Sequence, residues 1–313
     1  MSSIDLSSVN AIVTRDLVKE RINTEKKYLL TGYSKMILEM EEPFIINDEW
    51  SREIPLQESL DILYDFFNSI DSNLANQFNN IIHGTCDNIP LIKFNYVEGD
   101  KVLNSVVTKY GVIINYSNNP DDIFTIAHEV LHFMNLHLFY DDNDYITETR
   151  SRYIFGEANS ILGELLLKDY LITNHLITTN DFKKRYKVRI NNAKKCAKSF
   201  IIEKLLMEVR QSGMDITYEH LLDKLATLDT ESIDYQVFEE ELNTFDYMNK
   251  IIKHNHCNSN IAKKYIYGLV IANKIYESDN RHQEFINFNN AICNTNNTVD
   301  DIYTDLRLRF PHI

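Results

Sequence analysis

A mainly α fold is predicted, helical throughout except for a small β-sheet beside one particular helix. Three observations lead there. Glycine and proline are scarce, at 8 and 5 among 313 residues, which suits helices joined by short connections. Runs with strand character are confined to residues 91–115. The helix that follows carries His128-Glu129-Val130-Leu131-His132, two histidines four positions apart on one face.

In chain order, helices are expected over Leu17–Met40 and Leu56–Ile82. Leu91–Val97, Val102–Lys109 and Gly111–Asn115 then alternate or run apolar with β-branched residues, and Glu98-Gly99-Asp100 reads as a hairpin turn between the first two. The next helix has a clear start. Asn119 can cap it, Pro120 suits its first position, and Asp121 and Asp122 oppose the helix dipole in its first turn. It should run to about Tyr140 and break at Asp141-Asp142-Asn143-Asp144. A second helix is expected from Thr147 to Leu171, with helices filling the remainder to Arg309. A sheet edge beside the first of these helices could pair with an extended peptide backbone.

The two histidines can reach one Zn²⁺, and Glu129 stands beside the metal, where it can take a proton from a water the metal activates. Ile123, Phe124, Ile126, Ala127, Val130, Leu131, Phe133, Met134 and Leu138 make the helix apolar on most sides, so it should be buried. Histidine and glutamate are rarely buried without a partner, and a metal would supply one. A catalytic zinc takes three protein ligands, so a third is needed. Glu148, Glu157 and Glu164 are the acidic candidates on the second helix. Glu148 lies in a polar first turn, where a carboxylate is ordinary helix-end electrostatics. Glu157 lies among Ile154, Phe155, Ala158, Ile161 and Leu162, where a lone carboxylate would be costly, and is favoured as the ligand.

With these residues in view, the chain resembles the zinc metallopeptidases of the oligopeptidase F and thimet oligopeptidase family. The resemblance runs from about Tyr110 to Ala272. It includes Gly111-Val112-Ile113-Ile114-Asn115, then Asp122-Ile123-Phe124-Thr125-Ile126-Ala127 leading into the His128–His132 motif. It also includes Glu157-Ala158-Asn159-Ser160-Ile161-Leu162-Gly163-Glu164, 25 residues after His132. The resemblance implies a shortened, gluzincin-type member with the HExxH…E pattern and a helical zincin-type fold. It implies one zinc per chain on His128, His132 and Glu157, and cleavage of short peptides in a channel. Near the C-terminus the family places a histidine before a tyrosine-rich helix, groups that hold substrate and oxyanion. Here His254 or His256 would match the histidine, and Tyr265 or Tyr267 the tyrosine. The chain departs from the family where Leu131 replaces a usual glycine and Asn135 a further histidine, neither of them a ligand. Its short N-terminal region would leave the cleft more open.

The expected function is therefore that of a zinc-dependent endopeptidase acting on oligopeptides or extended protein segments. Zinc and a tyrosine hydroxyl would stabilise the oxyanion, with Ser160 and Glu164 orienting Glu157 or a ligand histidine from behind. Two other readings fit the same residues: a specialised effector or toxin protease, and a pseudoenzyme that binds peptides without cutting. Residues 1–90 should form an N-terminal helical region and 91–313 the zinc-binding catalytic region, within one continuous domain whose two lobes flank a cleft.

A net charge of −14 argues against nucleic acid as partner. No run of about 18 apolar residues is present to span a membrane, and Met1–Asp5 lacks a signal-peptide start, so a cytoplasmic protein is expected, with non-classical secretion as the alternative. Four scattered cysteines, Cys86, Cys196, Cys257 and Cys293, suggest thiols rather than disulfides. The basic run from Lys183 through Lys184, Arg185, Lys187 and Arg189 to Lys198 reads as a solvated helix face or a dock for an acidic partner. Asp229–Glu241 is acidic, a solvated face or a lure for basic peptides.

Overall fold

A computed structural model describes residues 30–86, 89–98, 105–108, 111–136, 148–226, 257–294 and 296–310. It is mainly α, as expected. Of the segments discussed above, residues 17–29, 99–100, 102–104, 138–144 and 229–241 lie outside the described residues, as do His254 and His256. The chain divides into two units, Met1–Glu42 with Arg189–Tyr267, and Pro43–Val188 with Gly268–Ile313.

The second unit carries the sheet and the histidine pair. It opens with α2 (Leu56–Ile70) and α3 (Ser72–His83), α1 (Leu30–Glu39) belonging to the first unit. The single helix expected over Leu56–Ile82 is thus two. Asp71 takes an extended backbone between them, and its carboxylate accepts from the Asn73 N–H at 2.6 Å and the Leu74 N–H at 3.4 Å. Aspartate competes for backbone donors in this way, so it ends one helix and caps the next. The two helices close on Phe66, Phe67 and Phe78, with ring centroids 5.1 and 5.3 Å apart along that series.

A two-stranded ribbon follows, β1 (Thr85–Cys86) antiparallel to β2 (Ile89–Pro90). The main sheet has three strands in the order β3 (Ile92–Tyr96), β5 (Gly111–Tyr116), β4 (Val106–Thr108). β3 runs parallel to β5, and β4 antiparallel to it. This corrects the hairpin expected at Glu98-Gly99-Asp100, because β5 lies between the two strands that turn would have paired. Alternation reveals which face of a strand is buried, not which strand sits beside it. The most apolar strand, β5, takes the centre and buries Val112 and Ile114.

The chain passes from β5 through a short turn, with Asn118 in the left-handed region at φ 63°, into α4 (Pro120–Leu136). α4 packs on α5 (Glu148–Thr173), which matches the expected second helix closely. α6 (Thr179–Gln211) contributes its first turns to this unit, as do the end of α8 (Cys257–Tyr276), α9 (Arg281–Cys293) and α10 (Val299–Arg309). α10 begins with a capping box between Thr298 and Asp301.

In the first unit α1, the rest of α6, α7 (Tyr218–Leu225) and the start of α8 bury apolar side chains that include Ile37, Ile201, Leu205, Leu221 and Ile266. Among the described residues no helix is long and apolar enough to cross a membrane.

Candidate metal centre

The turn before α4 is held from both sides. The Asn119 side-chain oxygen accepts from the Asp121 N–H at 2.8 Å and the Asp122 N–H at 3.2 Å, so Asn119 is the expected cap. Asp122 returns the contact, accepting from the Ser117 N–H at 2.8 Å and the Asn119 N–H at 2.9 Å. Burial nevertheless pushes the Asp122 carboxyl above its ordinary range, against those backbone donors.

Both histidines are buried, 4% and 3% exposed, and Glu157 on α5 is 1% exposed. Such burial of a carboxylate and two imidazoles is costly unless they serve one another or a shared ion. Among the described residues, His128, His132 and Glu157 form a group able to hold a metal, their ligand atoms all within 4.8 Å of one another. His132 Nε2 stands 3.2 Å from Glu157 Oε2, and His128 Nε2 stands 3.6 Å from Glu157 Oε1. The second distance is too long for a hydrogen bond. Tetrahedral zinc bonds of about 2.0–2.2 Å put ligand atoms roughly 3.3–3.6 Å apart, so both spacings suit a shared ion. Two imidazole nitrogens and one carboxylate are also the donor set of a zinc site that keeps a position open. The residues present therefore fit a zinc ion.

Other side chains back this group. Glu164 Oε1 lies 2.7 Å from His128 Nδ1. With Glu164 ionised it could only accept, so Nδ1 would carry the proton and Nε2 would be left as a lone pair on the side of Glu157. Ser160 donates its hydroxyl to the His128 carbonyl oxygen at 3.1 Å. It thus fixes the backbone of α4 rather than any ligand's side chain. Glu129 is half-buried on the turn that carries His128.

Two residues of this centre escaped the sequence reading. Arg185, read there within a basic run as part of a solvated face or a dock for an acidic partner, instead turns inward, its side chain only 12% exposed. It donates to Glu164 at 3.2 Å through Nε and 3.0 Å through Nη2, and through Nη1 to Asp121 at 3.1 Å and Thr125 at 3.2 Å. Burial disfavours its charge, but Asp121 and Glu164 more than compensate and raise its pKa above the ordinary arginine value. Nothing in a run of basic residues distinguishes the one that turns inward. The other is Gly268 on α8, where an added Cβ would lie 2.8 Å from Glu157 Cγ. A signal existed here, since glycine inside a helix costs about 1 kcal/mol against alanine and so often marks a close approach. A related fit explains Leu131, which stands where the resembled family has glycine. Its Cδ1 fills the space left by Gly163, where a Cβ would come within 2.3 Å.

Gly268→Ala is accordingly expected to crowd Glu157. Overpacking of this kind typically costs about 1–3 kcal/mol, more than the helix-propensity gain of about 1 kcal/mol. Thermal unfolding of the metal-free protein should therefore occur at a lower temperature than in wild type. An unchanged or raised Tm would mean that Glu157 yields freely.

Tyr265 and Tyr267 both stand on α8. Tyr265 is half-buried, whereas Tyr267 is buried with its ring edge-on to Tyr33, centroids 5.3 Å apart. Asn135 is buried and accepts from Cys293 Sγ at 3.4 Å. Burial pushes the Cys293 thiol up to about 11.

Fold and centre together define a mainly helical protein with a buried His-His-Glu group that could hold a metal ion. The fold is similar to that in a crystal structure described as a "putative peptidase" from Chlamydophila abortus, with a TM-score of 0.50, 14% identity and 98% of this chain covered. The chain spans about half of that protein, 55% of its length, and at such identity the likeness is one of fold. No protein-family model and no curated protein matches the chain.

Proposed function

We propose that the protein is a zinc-dependent endopeptidase related to the oligopeptidase F and thimet oligopeptidase family, acting on oligopeptides or extended protein segments. The observation that carries this reading is the buried His128, His132 and Glu157 group, its ligand atoms within 4.8 Å, with Glu129 directly after the first histidine. The fold likeness to a protein described as a peptidase supports it.

His128 and His132 would hold the ion through Nε2, and Glu157 through its carboxylate. When bound, zinc supplies Lewis acidity, lowering the pKa of a water and polarising the scissile carbonyl. Glu129 accepts the proton of that water as its oxygen bonds to the carbonyl carbon. It then passes the proton to the amine nitrogen as the carbon–nitrogen bond breaks, so the base is regenerated each turnover. Glu164 keeps the His128 ring turned so that Nε2 remains available throughout.

Elemental analysis and cleavage of a random peptide library, with and without a chelator, test this reading. One zinc per chain is expected, with cleavage lost on chelation and restored by zinc. Purified protein that holds no zinc and cuts no peptide under either condition would refute it.

Tyr267 is buried with its ring against Tyr33, and we assign Tyr265, the less buried of the two, the role of oxyanion donor. Tyr265→Phe should lower kcat about 100–1,000-fold with little change in KM or Tm. Tyr267→Phe should leave kcat near wild type. The converse pattern would move the role to Tyr267, and two active variants would make both tyrosines packing residues.

A further inference from the structure

Arg185 is spent on a purpose the peptidase reading does not require of it. A guanidinium this buried must be compensated at every turn, and here it joins three pieces of structure. Its Nε and Nη2 form a two-point grip on Glu164 of α5, at 3.2 and 3.0 Å. Its Nη1 reaches the first turns of α4 at Asp121, 3.1 Å, and Thr125, 3.2 Å. The arginine itself rises from α6. Glu164 Oε1 is therefore shared between Arg185 and His128 Nδ1, the latter at 2.7 Å.

Consider what Glu164 would do without that grip. It is a buried carboxylate two helical turns beyond Glu157 and within contact of a ligand histidine. Flexible carboxylates coordinate zinc readily, so a loose Glu164 could compete with Glu157 for the ion. It could also leave His128 free to turn over and offer the wrong nitrogen. A bidentate arginine removes both freedoms, because its planar fork fixes the carboxylate in plane as well as in distance. Lysine, a point charge, cannot do so.

We propose that Arg185 is a positioning residue of the metal centre: it clamps Glu164 against His128, fixes Nε2 of that ring toward Glu157, and withholds Glu164 from the ion. This rests on the zinc reading above. Arg185 acts on the centre through Glu164.

The test measures zinc affinity by chelator competition, with the visible spectrum of the cobalt-loaded protein reporting ligand geometry. Wild type, Arg185→Lys, Arg185→Met, Glu164→Ala and the double variant Arg185→Met/Glu164→Ala are compared. Loss of an outer partner typically weakens metal binding about 10–100-fold, and that loss is expected in both Arg185 variants, with an altered cobalt spectrum. Because Arg185 works through Glu164, the double variant should bind zinc within about twofold of Glu164→Ala. Should Arg185→Met fail to fold, Arg185→Lys carries the decision. Wild-type affinity and spectrum in the Arg185 variants would overturn the inference and leave the zinc reading standing. Losses that multiply in the double variant would overturn it too, since Arg185 would then act independently of Glu164. Wild type that takes up neither zinc nor cobalt would instead sink the zinc reading itself.

Discussion

Glu129→Gln is expected to lose nearly all peptide hydrolysis while keeping zinc and fold. The amide reproduces the shape of the carboxylate, so packing on the half-buried turn beside His128 is preserved. It cannot accept a proton, and general base catalysis by a positioned side chain typically contributes on the order of 100–10,000-fold. The residue lies outside the group of His128, His132 and Glu157, so zinc content should stay at the wild-type level. The measurement is turnover of a peptide identified from the library, together with zinc analysis and a thermal melt. Turnover comparable to wild type would remove Glu129 from the chemistry. Loss of zinc along with activity would make it a ligand or a structural residue.

Glu157→Ala should be the most damaging change to the metal itself. It deletes the carboxylate that faces both Nε2 atoms, at 3.2 and 3.6 Å. Two imidazoles remain, one protein ligand short of a usual catalytic zinc site. Zinc in the purified variant should fall below detection, and hydrolysis with it. Glu164→Ala is the informative contrast, since that carboxylate contacts His128 Nδ1, the ring nitrogen turned from the ligand group. Its loss should weaken zinc only about 10–100-fold. The reverse ranking, full zinc in Glu157→Ala and none in Glu164→Ala, would exchange the roles assigned to the two glutamates.

How much of this was legible in the sequence depends on whether local pattern or distant contact decides. The pairing of His128 with His132 follows from four-residue spacing on a helix, a property the chain carries locally. The start of that helix was equally local, since Asn119 caps through donors two and three residues ahead. Glu157 was reached by cost: a carboxylate within an apolar helical run has to meet something. These were readable because helix spacing, capping and the apolar pattern of a segment are set by near neighbours in sequence.

The break at Asp71 was readable in principle, an acidic cap inside an otherwise continuous apolar pattern, and was missed because periodicity carried across it. Sheet order was not readable, because β-strand patterning encodes a face and not a neighbour. Arg185 was the least readable of all. Its neighbours Lys183, Lys184 and Lys187 share its charge and its helix, and only the approach of α4 and α5 singles it out as the inward one. Gly268 belongs to the same class, since its missing side chain matters only where α8 crosses the stem of Glu157. The sequence by itself thus determined the helical class and the histidine pair, and singled out Glu157 as the buried carboxylate to join them, through spacing and burial cost. Tertiary structure alone decided which groups stand behind those three residues, because contacts between helices distant in the chain depend on how whole elements pack.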